Sequence, residues 1–591
     1  MTTKTFQETW DLDVFFKGGS GSESYHTYLS EIKEDLKAFE QHIAAFDVDE
    51  LEKVLGDYET VVKKVVQSSA FVNCLLAADV TDKGAAQLQG QVAQIHAKLQ
   101  VLLGALDDKL VTIDEETWNS LLQKEEFKVL EYVLNERRRR ANDKMSADQE
   151  KLVTSLAVDG YHAWGKLYNS LVGTIKVKVK ENGEVKELSV GQAHNRFSDG
   201  SREVRKVVAK AWKEAWENQA DTIAAALNHL AGFRLQVYEQ RGWDSVLKEP
   251  LDNNRMKKET LDTMWQVITD HKGTLTKYLN RKAKLLGLEK LSMYDVSAPL
   301  TAEETKLSYQ DGADFIIEQF SKFGPELTEF TKKAFEDRWI EAEDRPGKRP
   351  GGFCTSFPVS GQSRIFMTYS GTLSNVSTLA HELGHAFHQH AMHGVPTLNR
   401  FYASNVAETA STFAEMIVAD AAVKYAKDEK EKISLLEDKI QRSVAFYMNI
   451  HARFLFETRF YEERKNGLVS VEKLNELMVE AQKEAYCGAL DEYDSTFWAS
   501  KMHFFITQVP FYNFPYTFGY LFSLGIYSQA LEEGTNYEDK YISLLKDTAS
   551  MTVEDLAMKH LGVDLTQRDF WEKAVKKSLE DVEEFLELTN K

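Results

Sequence analysis

The sequence contains few cysteines and few prolines. Its three cysteines, Cys74, Cys354 and Cys487, are far apart and form no Cys-x-x-Cys pair, which argues against a disulfide framework and against a thiolate metal site. Only nine prolines interrupt 591 residues, and Ala, Leu, Glu and Lys are abundant, so long helices are expected. We therefore predict a mainly α protein that is large enough to bury an extensive core.

The sequence also lacks a strongly basic region. Its net charge is -20, and the acidic residues are spread along the chain, whereas a nucleic-acid partner would require a basic stripe. The one basic block, residues 137–140, is interpreted as a solvated helix face paired with Glu131 and Glu136. No apolar signal region opens the sequence, and no run is expected to reach membrane-spanning length. We expect a cytoplasmic protein with no nucleic-acid partner and no membrane partner.

The most informative segment is His-Glu-Leu-Gly-His at residues 381–385. On a helix, His381 and His385 lie one turn apart on the same face, so both imidazoles can bind a single ion. Glu382 projects from nearly the same side and can contact a water on that ion without being a ligand. Apolar residues at helical spacing surround the motif, which disfavours the alternative of a polar patch on an ordinary helix. The segment therefore predicts the site of a zinc hydrolase.

The ends of this helix can be predicted as well. Thr372 or Ser374 can cap its start, while Gly394 and Pro396 mark its end. A fourth protein ligand would close the coordination position that a catalytic zinc ion leaves open. The histidines that continue the helix are therefore interpreted as surface or supporting groups: His388, His390 and His393.

Two histidines cannot hold a catalytic zinc ion, so a third protein ligand is required. Residues 405–415 predict a second helix, on which Glu408 and Glu415 lie two turns apart on one face. Glu408 is the preferred third ligand, and Glu415 can instead accept a histidine N–H and fix its tautomer. A solvated helix carboxylate is the alternative for either residue. Spacing alone does not choose among Glu408, Glu415 and Asp420.

A segment rich in tyrosine and phenylalanine, residues 502–520, follows towards the carboxyl terminus. The oxyanion that forms when water attacks a peptide carbonyl requires hydrogen-bond donors besides the metal. Tyrosine and histidine side chains can provide such donors, although tyrosines in a stretch like this are more often core residues with satisfied hydroxyls. The candidates are His503, Tyr512, Tyr516 and Tyr520.

Two short segments before the motif, residues 349–356 and 364–371, are predicted to be extended. Zinc peptidases commonly hold a peptide at the edge of a small sheet, where backbone hydrogen bonds accept any sequence. The alternative is a structural hairpin beneath the helix. No residue of these two segments is therefore assigned a catalytic role.

A further β segment, residues 174–187, alternates on both sides of Asn182 and Gly183, which together are a strong hairpin-turn signal. Because a helix start follows at Ser189, we predict a domain boundary nearby. An N-terminal helical domain is expected over residues 1–190, ending in this hairpin, and a peptidase domain over residues 191–591. No long linker separates them, so the two are expected to pack as one body.

The sequence resembles the M3 family of zinc oligopeptidases, and within it the bacterial oligoendopeptidase F branch. Four segments carry the resemblance, and they span nearly the whole chain. They are residues 10–13 (Trp-Asp-Leu-Asp), residues 381–385, residues 405–411 (Asn-Val-Ala-Glu-Thr-Ala-Ser) and residues 511–523. The resemblance implies a large helical zincin-like fold with a small β-sheet near the active site, whose two halves enclose a substrate channel.

The resemblance also implies roles for single residues. The two motif histidines correspond to the family's zinc ligands, the glutamate of the Ala-Glu-Thr-Ala-Ser segment is its third ligand, and Glu382 is its general base. The third ligand is therefore Glu408. The Gly-Tyr-Leu-aromatic-Ser match implies that Tyr520 binds the substrate carbonyl, with His503 as the accompanying histidine. The spacing between these two differs from that in the thimet-like branch.

Together these features predict a zinc-dependent metalloendopeptidase with one Zn²⁺ per chain. In this prediction Glu382 activates a zinc-bound water, and short unfolded peptides are the substrates, as the resemblance implies. A helical zinc carboxypeptidase is an alternative that would carry the same motif, but it needs a positive group for the substrate's free carboxylate. A non-catalytic peptide-binding protein is a further alternative, which the intact Glu382 disfavours. The chain is expected to be a monomer or a homodimer.

Overall fold

The protein is described by a computed structural model that covers residues 5–181, 183–301 and 306–590. Its first part is a series of helices, several of which begin with a side chain that satisfies a free backbone N–H. Ser22, Asp82 and Asp114 each accept such a hydrogen bond. The helices are α1 (Glu23–Ala44), α2 (Leu51–Ala78), α3 (Lys83–Val111), α4 (Glu115–Leu122), α5 (Glu125–Lys128), α6 (Glu131–Asn142), α7 (Ala147–Gly160) and α8 (His162–Thr174).

The predicted β-hairpin follows α8. Strand β1 (Lys176–Glu181) pairs antiparallel with β2 (Glu184–Ser189), and two residues join them. Gly183 has a φ of 86°, which suits a two-residue hairpin turn because such turns require positive φ. The other turn residue of the prediction, Asn182, lies outside the described residues.

A longer helical part follows the hairpin and contains the His-Glu-Leu-Gly-His motif. Before the motif lie α9 (Val190–Asn195), α10 (Arg202–Glu217), α11 (Ala220–Gln240), α12 (Lys248–Asn253), α13 (Lys258–Leu285), α14 (Tyr309–Ser321) and α15 (Pro325–Glu336). From the motif onwards lie α16 (Leu373–Ala391), α17 (Ser404–Ala407), α18 (Thr409–Lys424), α19 (Glu429–Val444), α20 (Ile450–Arg464), α21 (Val471–Ala485), α22 (Phe497–Ser500), α23 (Phe514–Glu533), α24 (Glu538–Asp547), α25 (Val553–Leu561) and α26 (Arg568–Thr589). The predicted mainly α fold is confirmed.

A three-stranded sheet lies directly before α16. Strand β3 (Ile340–Glu341) runs parallel to β5 (Gln362–Phe366), and β4 (Phe353–Phe357) runs antiparallel to β5, in the order β3-β5-β4. The two segments predicted to be extended therefore pair with each other. The second strand ends earlier than predicted, because the chain turns into α16 at Gly371, which has a φ of 88°. β4 lies at the edge of the sheet.

The buried apolar side chains of the described residues form two cores. One core joins α1 to α6 and also takes in Phe357, Phe366 and Leu398 from the later part of the chain. The other core runs from Ala157 in α7 to Phe585 in α26 and includes the helices that carry the motif. The cores thus divide between α6 and α7, whereas the domain boundary at residue 190 stays a prediction.

Helix α2 belongs to a run that is apolar enough to cross a membrane. Among the described residues, Val48–Ala78 is the one helical run that passes this test of length and composition, which corrects the expectation that no run reaches this length. Its buried side chains, among them Val54, Val61 and Phe71, face the first core, where α2 packs against α1 and α3. Core helices of soluble proteins pass the same test, so the absence of a membrane partner stays a prediction.

Helices α16 and α18 cross at a very short distance at Gly384. A Cβ atom at this position would lie 2.4 Å from the carbonyl oxygen of Ala410 and 2.6 Å from the Cα of Ser411. Both distances are well below van der Waals contact, so a side chain here would force the helices apart. The crossing sets how far the motif histidines on α16 lie from the residues at the start of α18.

Replacing Gly384 by alanine should therefore destabilise the protein by about 1–3 kcal/mol, as overpacking of a core does. Thermal unfolding followed by circular dichroism would show this as a lower melting temperature. The matched control is Gly90→Ala in α3, where an added Cβ meets nothing within 4 Å. Alanine is the better helix former, so the control should melt at the same temperature or higher. Equal melting temperatures of Gly384→Ala and Gly90→Ala would contradict the tight crossing of α16 and α18.

Candidate active site

Helix α16 carries the two histidines of the motif. Its start is fixed by a capping box, in which the Thr372 hydroxyl accepts from the Asn375 backbone N–H at 3.0 Å and the Asn375 side chain accepts in return. The helix ends before Gly394, as predicted. The rings of His381 and His385 lie on the same side, with centroids 4.9 Å apart and planes at 83° to each other.

The Glu408 carboxylate comes from the junction of α17 and α18. The predicted second helix is interrupted at this residue, which has a φ of -86° and a ψ of 3°. Its Oε2 atom lies 3.2 Å from Nε2 of His381 and 3.4 Å from Nε2 of His385. The Ser411 hydroxyl donates to the same oxygen at 2.8 Å. The interruption of the helix thus turns Glu408 towards the histidines and leaves it held by a neighbouring hydroxyl.

The ligand atoms of His381, His385 and Glu408 all lie within 4.8 Å of one another, and they form the one metal-compatible group found in the described part of the chain. Zinc bonds of about 2.0–2.1 Å at tetrahedral angles separate the ligand atoms by about 3.3 Å. The carboxylate–imidazole separations of 3.2 and 3.4 Å match this value. Two imidazoles and one carboxylate are also a donor set of catalytic zinc sites. The residues therefore fit zinc.

Glu415 contacts His381 on the side opposite the ligand atoms. Its Oε2 lies 3.1 Å from Nδ1 of His381, and its other oxygen forms an ion pair with Arg442 of α19. An ionised carboxylate only accepts hydrogen bonds, so Nδ1 of His381 carries a proton, and Nε2, the atom that faces Glu408, is the nitrogen available to a metal ion. Glu415 thus orients the imidazole, and Arg442 holds Glu415.

The electrostatics of this group favour a positive charge between the carboxylates and the imidazoles. Burial disfavours protonated His381, but hydrogen bonds with Glu408 and Glu415 outweigh burial and raise the pKa of His381 to about 10. Burial also opposes ionisation of Glu408, yet hydrogen bonds with His381 and His385 hold its pKa well below the usual range. A bound cation can replace these protons, because metal binding and deprotonation of the ligands are coupled.

Glu382 is buried beside the ligand group. Its Oε2 atom has no hydrogen-bond partner among the described residues, and burial is the main cause that raises its pKa above the ordinary glutamate value. The backbone directly before β4 passes close by, since a Cβ on Gly352 would lie 3.4 Å from Oε1 of Glu382. A buried, unpartnered carboxylate next to metal ligands is available to exchange a proton.

A cavity of about 780 Å³ opens beside the ligand group. It is bounded by residues of α18, α19, α23 and α26, and His381, Glu382 and Glu408 line part of its wall. Two of the predicted donors, Tyr516 and Tyr520, line it as well. The structure therefore brings two of the three candidate ligands, the candidate base and two tyrosines to one cavity.

The tyrosines differ in their hydrogen-bond partners. The Tyr520 hydroxyl lies 3.1 Å from the Ser443 hydroxyl, and its ring stacks on Phe446. The Tyr516 hydroxyl lies 3.0 Å from the Tyr512 hydroxyl. Burial raises the pKa of Tyr520 to about 12 and also raises that of Tyr516. Both phenols therefore keep their protons at neutral pH and can donate hydrogen bonds.

His503 lies in a short 3₁₀ helix, Met502–Phe505. It is not among the described residues that line the cavity, but its ring lies 5.1 Å from the Tyr512 ring. Its Nδ1 is 3.2 Å from Nη1 of Arg453. Burial lowers the pKa of His503 to about 4, and the charges of Arg453 and Lys501 contribute. His503 is therefore a neutral imidazole at neutral pH.

Other side chains considered from the sequence lie away from the ligand group. Asp420 accepts hydrogen bonds from Lys439 at 2.6 Å and from Tyr527 at 2.8 Å. His388 is buried, with Nε2 2.9 Å from the Thr548 hydroxyl. Among the described residues, the metal-compatible group leaves out all four of these side chains: Asp420, His388, His390 and His393.

Several residues at the site carry no signal in the sequence. Arg442 contacts Glu415 but belongs to no motif, and Ser411 lies within the segment 405–411 without its contact to Glu408 being readable from it. Phe511 precedes the tyrosines and has a φ of 52°, which is unusual for a bulky residue. Its backbone N–H donates to Glu457 at 3.2 Å, and its ring is buried. The contacts of Arg442 and Phe511 join distant parts of the chain, so periodicity could not reveal them.

The fold and the site together define a class, the helical peptidases that carry His-Glu-x-x-His on a helix and a glutamate on a later one. The profile of Peptidase family M3 matches residues 197–577, and the profile of Oligopeptidase F matches residues 109–176. The chain belongs to Peptidase family M3. The resemblance inferred from the four sequence segments is thereby confirmed, and the chain is a peptidase by family.

Named relatives extend over nearly the full chain. The oligoendopeptidase F homolog of Lactococcus lactis subsp. lactis (strain IL1403) is 26% identical, covering 96% of this chain and 94% of the relative. Oligopeptidase PepF of Bacillus subtilis (strain 168) is 24% identical, covering 99% of this chain and 88% of the relative. A solved structure from Chlamydophila abortus superposes with a TM-score of 0.84 at 20% identity, covering 99% of each chain. The structure of oligoendopeptidase-F from Enterococcus faecium superposes with a TM-score of 0.70 at 19% identity, covering 96% of this chain and 99% of the other. These likenesses confirm the predicted fold.

Replacing Glu415 by glutamine should weaken zinc binding by about 10- to 100-fold, the usual effect of removing a carboxylate that orients a ligating histidine. Competition with a chromogenic chelator measures the affinity. The control is Asp438→Asn, because Asp438 is an exposed carboxylate of α19 that also contacts Arg442, at 3.5 Å. Equal zinc affinity of the Glu415 variant and the parent would show that Glu415 does not support the site.

Proposed function

We propose that the protein is a zinc-dependent endopeptidase that hydrolyses internal peptide bonds of short, unfolded oligopeptides. The observation that carries the proposal is the buried, unpartnered Glu382 beside three ligand atoms whose spacing fits one zinc ion. Membership of Peptidase family M3 and relatives named oligoendopeptidase F support it. We further propose one zinc ion per chain, a cytoplasmic location and a monomer or homodimer.

The chemistry divides between the metal and the protein. His381, His385 and Glu408 would hold the ion, which when bound polarises the scissile carbonyl and lowers the pKa of a coordinated water. Glu382 takes the proton of the attacking water at its carboxylate. It then delivers that proton to the nitrogen of the departing amine. Burial suits Glu382 to both roles, because a raised pKa brings a carboxylate closer to the working pH.

The developing oxyanion needs donors that are already in place. Tyr516 is the better-placed tyrosine, because its phenol lies near enough to feel the charge of Glu408 and its partner is another hydroxyl of the same segment, that of Tyr512. Tyr520, which the family resemblance favours, has its hydroxyl against Ser443. We therefore propose Tyr516 as the principal tyrosine donor, with Tyr520, Tyr512 and His503 as further substrate-binding candidates.

The edge of the sheet offers a binding site for the peptide backbone. β4 is an edge strand, and the exposed Gly352 at its start lies beside Glu382. A peptide that pairs with this edge is held by main-chain hydrogen bonds, so its sequence is not read at every position. This arrangement suits an enzyme that acts on diverse short peptides.

The carboxypeptidase alternative requires a positive side chain that is free to bind the terminal carboxylate of the substrate. Five basic residues line the cavity. Four of them are paired with carboxylates: Lys432 with Glu584, Lys439 with Asp420 and Asp581, Arg442 with Glu415, and Lys577 with Glu580. The fifth, Lys424 of α18, is in no ion pair between described residues, so the names of the relatives favour an endopeptidase and cleavage of a blocked peptide decides.

A peptide blocked at both ends tests the function directly. The protein should cleave it at an internal bond, a chelator should abolish cleavage, and added zinc should restore it. Glu382→Gln should retain about one zinc per chain and lose about 10²- to 10⁴-fold in turnover, since it removes the base and no ligand. Glu408→Ala should lose the metal instead. Mass spectrometry of the products and metal analysis of each variant provide the measurements.

Two outcomes would overturn this assignment. Failure to cleave blocked peptides, together with cleavage of unblocked ones from the carboxyl terminus, would favour the carboxypeptidase. Full activity of Glu382→Gln would exclude Glu382 as the base.

Paired tyrosine variants test the choice of donor. Tyr516→Phe should lower kcat by about 10²- to 10³-fold, as loss of an oxyanion donor does. Tyr520→Phe should have a smaller effect, because the Tyr520 hydroxyl lies against Ser443 of α19, whereas the Tyr516 hydroxyl lies near the candidate ligand Glu408. Steady-state kinetics on the same blocked peptide compare them. The reverse order of effects would identify Tyr520 as the principal donor.

A further inference from the structure

Arg453 is a largely buried cation whose hydrogen bonds all go to neutral side chains. It lies in α20, just after one turn of π-helix, Ala445–Asn449. Its Nε donates to Oδ1 of Asn449 at 2.9 Å, and its Nη1 lies 2.9 Å from Oδ1 of Asn513 and 3.2 Å from Nδ1 of His503. Although burial lowers the pKa of Arg453 to about 10, the side chain remains charged at neutral pH.

The surroundings of Arg453 do not compensate its charge. None of the ion pairs between described residues includes Arg453, and a second cation is close by. The guanidinium lies 5.4 Å from the centre of the Phe497 ring, and Lys501 Nζ lies 4.6 Å from the same ring. Burying a charge without a counter-charge is costly, and an apolar side chain of similar size would avoid this cost. Stability alone therefore does not account for an arginine at this position.

The direction of the hydrogen bonds has a chemical consequence. An arginine side chain can only donate, so Nδ1 of His503 must accept and the imidazole proton must be on Nε2. Oδ1 of Asn513 also accepts from the guanidinium, which turns the amide N–H₂ group away from it. Nδ2 of Asn513 is buried without a hydrogen-bond partner in the described structure, and the structure gives no partner for Nε2 of His503. Arg453 thus leaves one unused N–H donor group on each residue.

Both residues adjoin the proposed substrate-binding tyrosines. The His503 ring packs 5.1 Å from the Tyr512 ring, and Asn513 directly precedes α23, which carries Tyr516. Arg453 therefore connects the 3₁₀ helix of His503 to the start of α23. A residue in this place can align donors that come from two separate segments.

We propose that Arg453 is a positioning residue that fixes His503 as the Nε2–H tautomer, so that His503 presents this donor to a carbonyl oxygen of the bound peptide, while the hydrogen bond from Arg453 to Asn513 ties it to the start of α23. The proposal rests on the proposed peptidase function for the identity of the acceptor. The orientation of the two side chains by Arg453 does not depend on that function. Tautomer and turnover can therefore be tested separately.

The tautomer is tested by NMR of the zinc-loaded, full-length protein labelled with ¹⁵N-histidine, with His503 assigned from the spectrum of His503→Gln. We expect an unprotonated Nδ1 and a protonated Nε2 in the parent. Arg453→Met should shift His503 towards a mixture of tautomers. The control Arg459→Met lies on the same helix, where Arg459 pairs with Glu484 on the surface, and should leave His503 unchanged. A protonated Nδ1 in the parent, or an unchanged His503 in Arg453→Met, would overturn the proposal.

Kinetics on the doubly blocked peptide test the consequence for turnover. Arg453→Met should lower kcat by about 10- to 100-fold with little change in KM, because misaligned donors weaken transition-state binding more than substrate binding. Zinc content should stay at the parent value. Arg453→Lys should recover part of the loss, since lysine keeps a charged donor. The control Arg459→Met should retain parental kcat.

A double variant separates positioning from general damage. If Arg453 acts through His503, adding Arg453→Met to His503→Gln should lower kcat less than it does in the parent, because coupled residues are not additive. The proposal would be contradicted if the loss of kcat in the double variant were the product of the losses in the two single variants. It would also be contradicted if Arg453→Met kept the parental kcat. If the parent cleaves no peptide, the proposed function fails, while the NMR result still decides the role of Arg453.

Discussion

Gly384 allows α16 to lie against α18 at a separation that no residue with a side chain would permit, and the geometry of the candidate metal centre follows from this contact. The two histidines come from α16, whereas Glu408 and Glu415 come from α18 and the residue before it. A second glycine supports the arrangement from the other side. A Cβ on Gly519 of α23 would lie 2.9 Å from the Asn405 carbonyl oxygen and 3.3 Å from Cβ of Glu408. Backbone contact on two sides therefore fixes the third ligand.

Local features of the sequence predicted much of this arrangement. The spacing of His381 and His385 requires only helical geometry, and Thr372 supplies a local cap, so the helix and its start could be inferred from a few residues. The mainly α fold followed from composition, and the hairpin followed from alternation around a turn signal. The choice of Glu408 over Glu415 did not follow from spacing. It came from the family resemblance, and the structure places Glu408 in the metal-compatible group.

The remaining features depend on contacts between distant parts of the chain. Arg442 reaches Glu415 from another helix, and Arg453 contacts Asn513 across 60 positions of sequence. Tyr516 and Tyr520 lie one turn apart on α23 and both line the cavity. Their different partners distinguish them, and Ser443, the partner of Tyr520, comes from α19, a distant part of the sequence. The break at Glu408 is equally unreadable, because residues 405–415 have an unbroken helical pattern.

The small sheet packs against both cores of the protein. β4 packs against α2 of the first core and against α16 of the second, and Phe357 and Phe366 complete the core of the N-terminal helices. Because these rings pack among α1 to α6, a tilt of those helices would also displace the strands that carry the rings. That displacement would include the backbone before β4, where Gly352 lies beside Glu382. The packing of the N-terminal helices therefore contributes to the position of the backbone beside the candidate base.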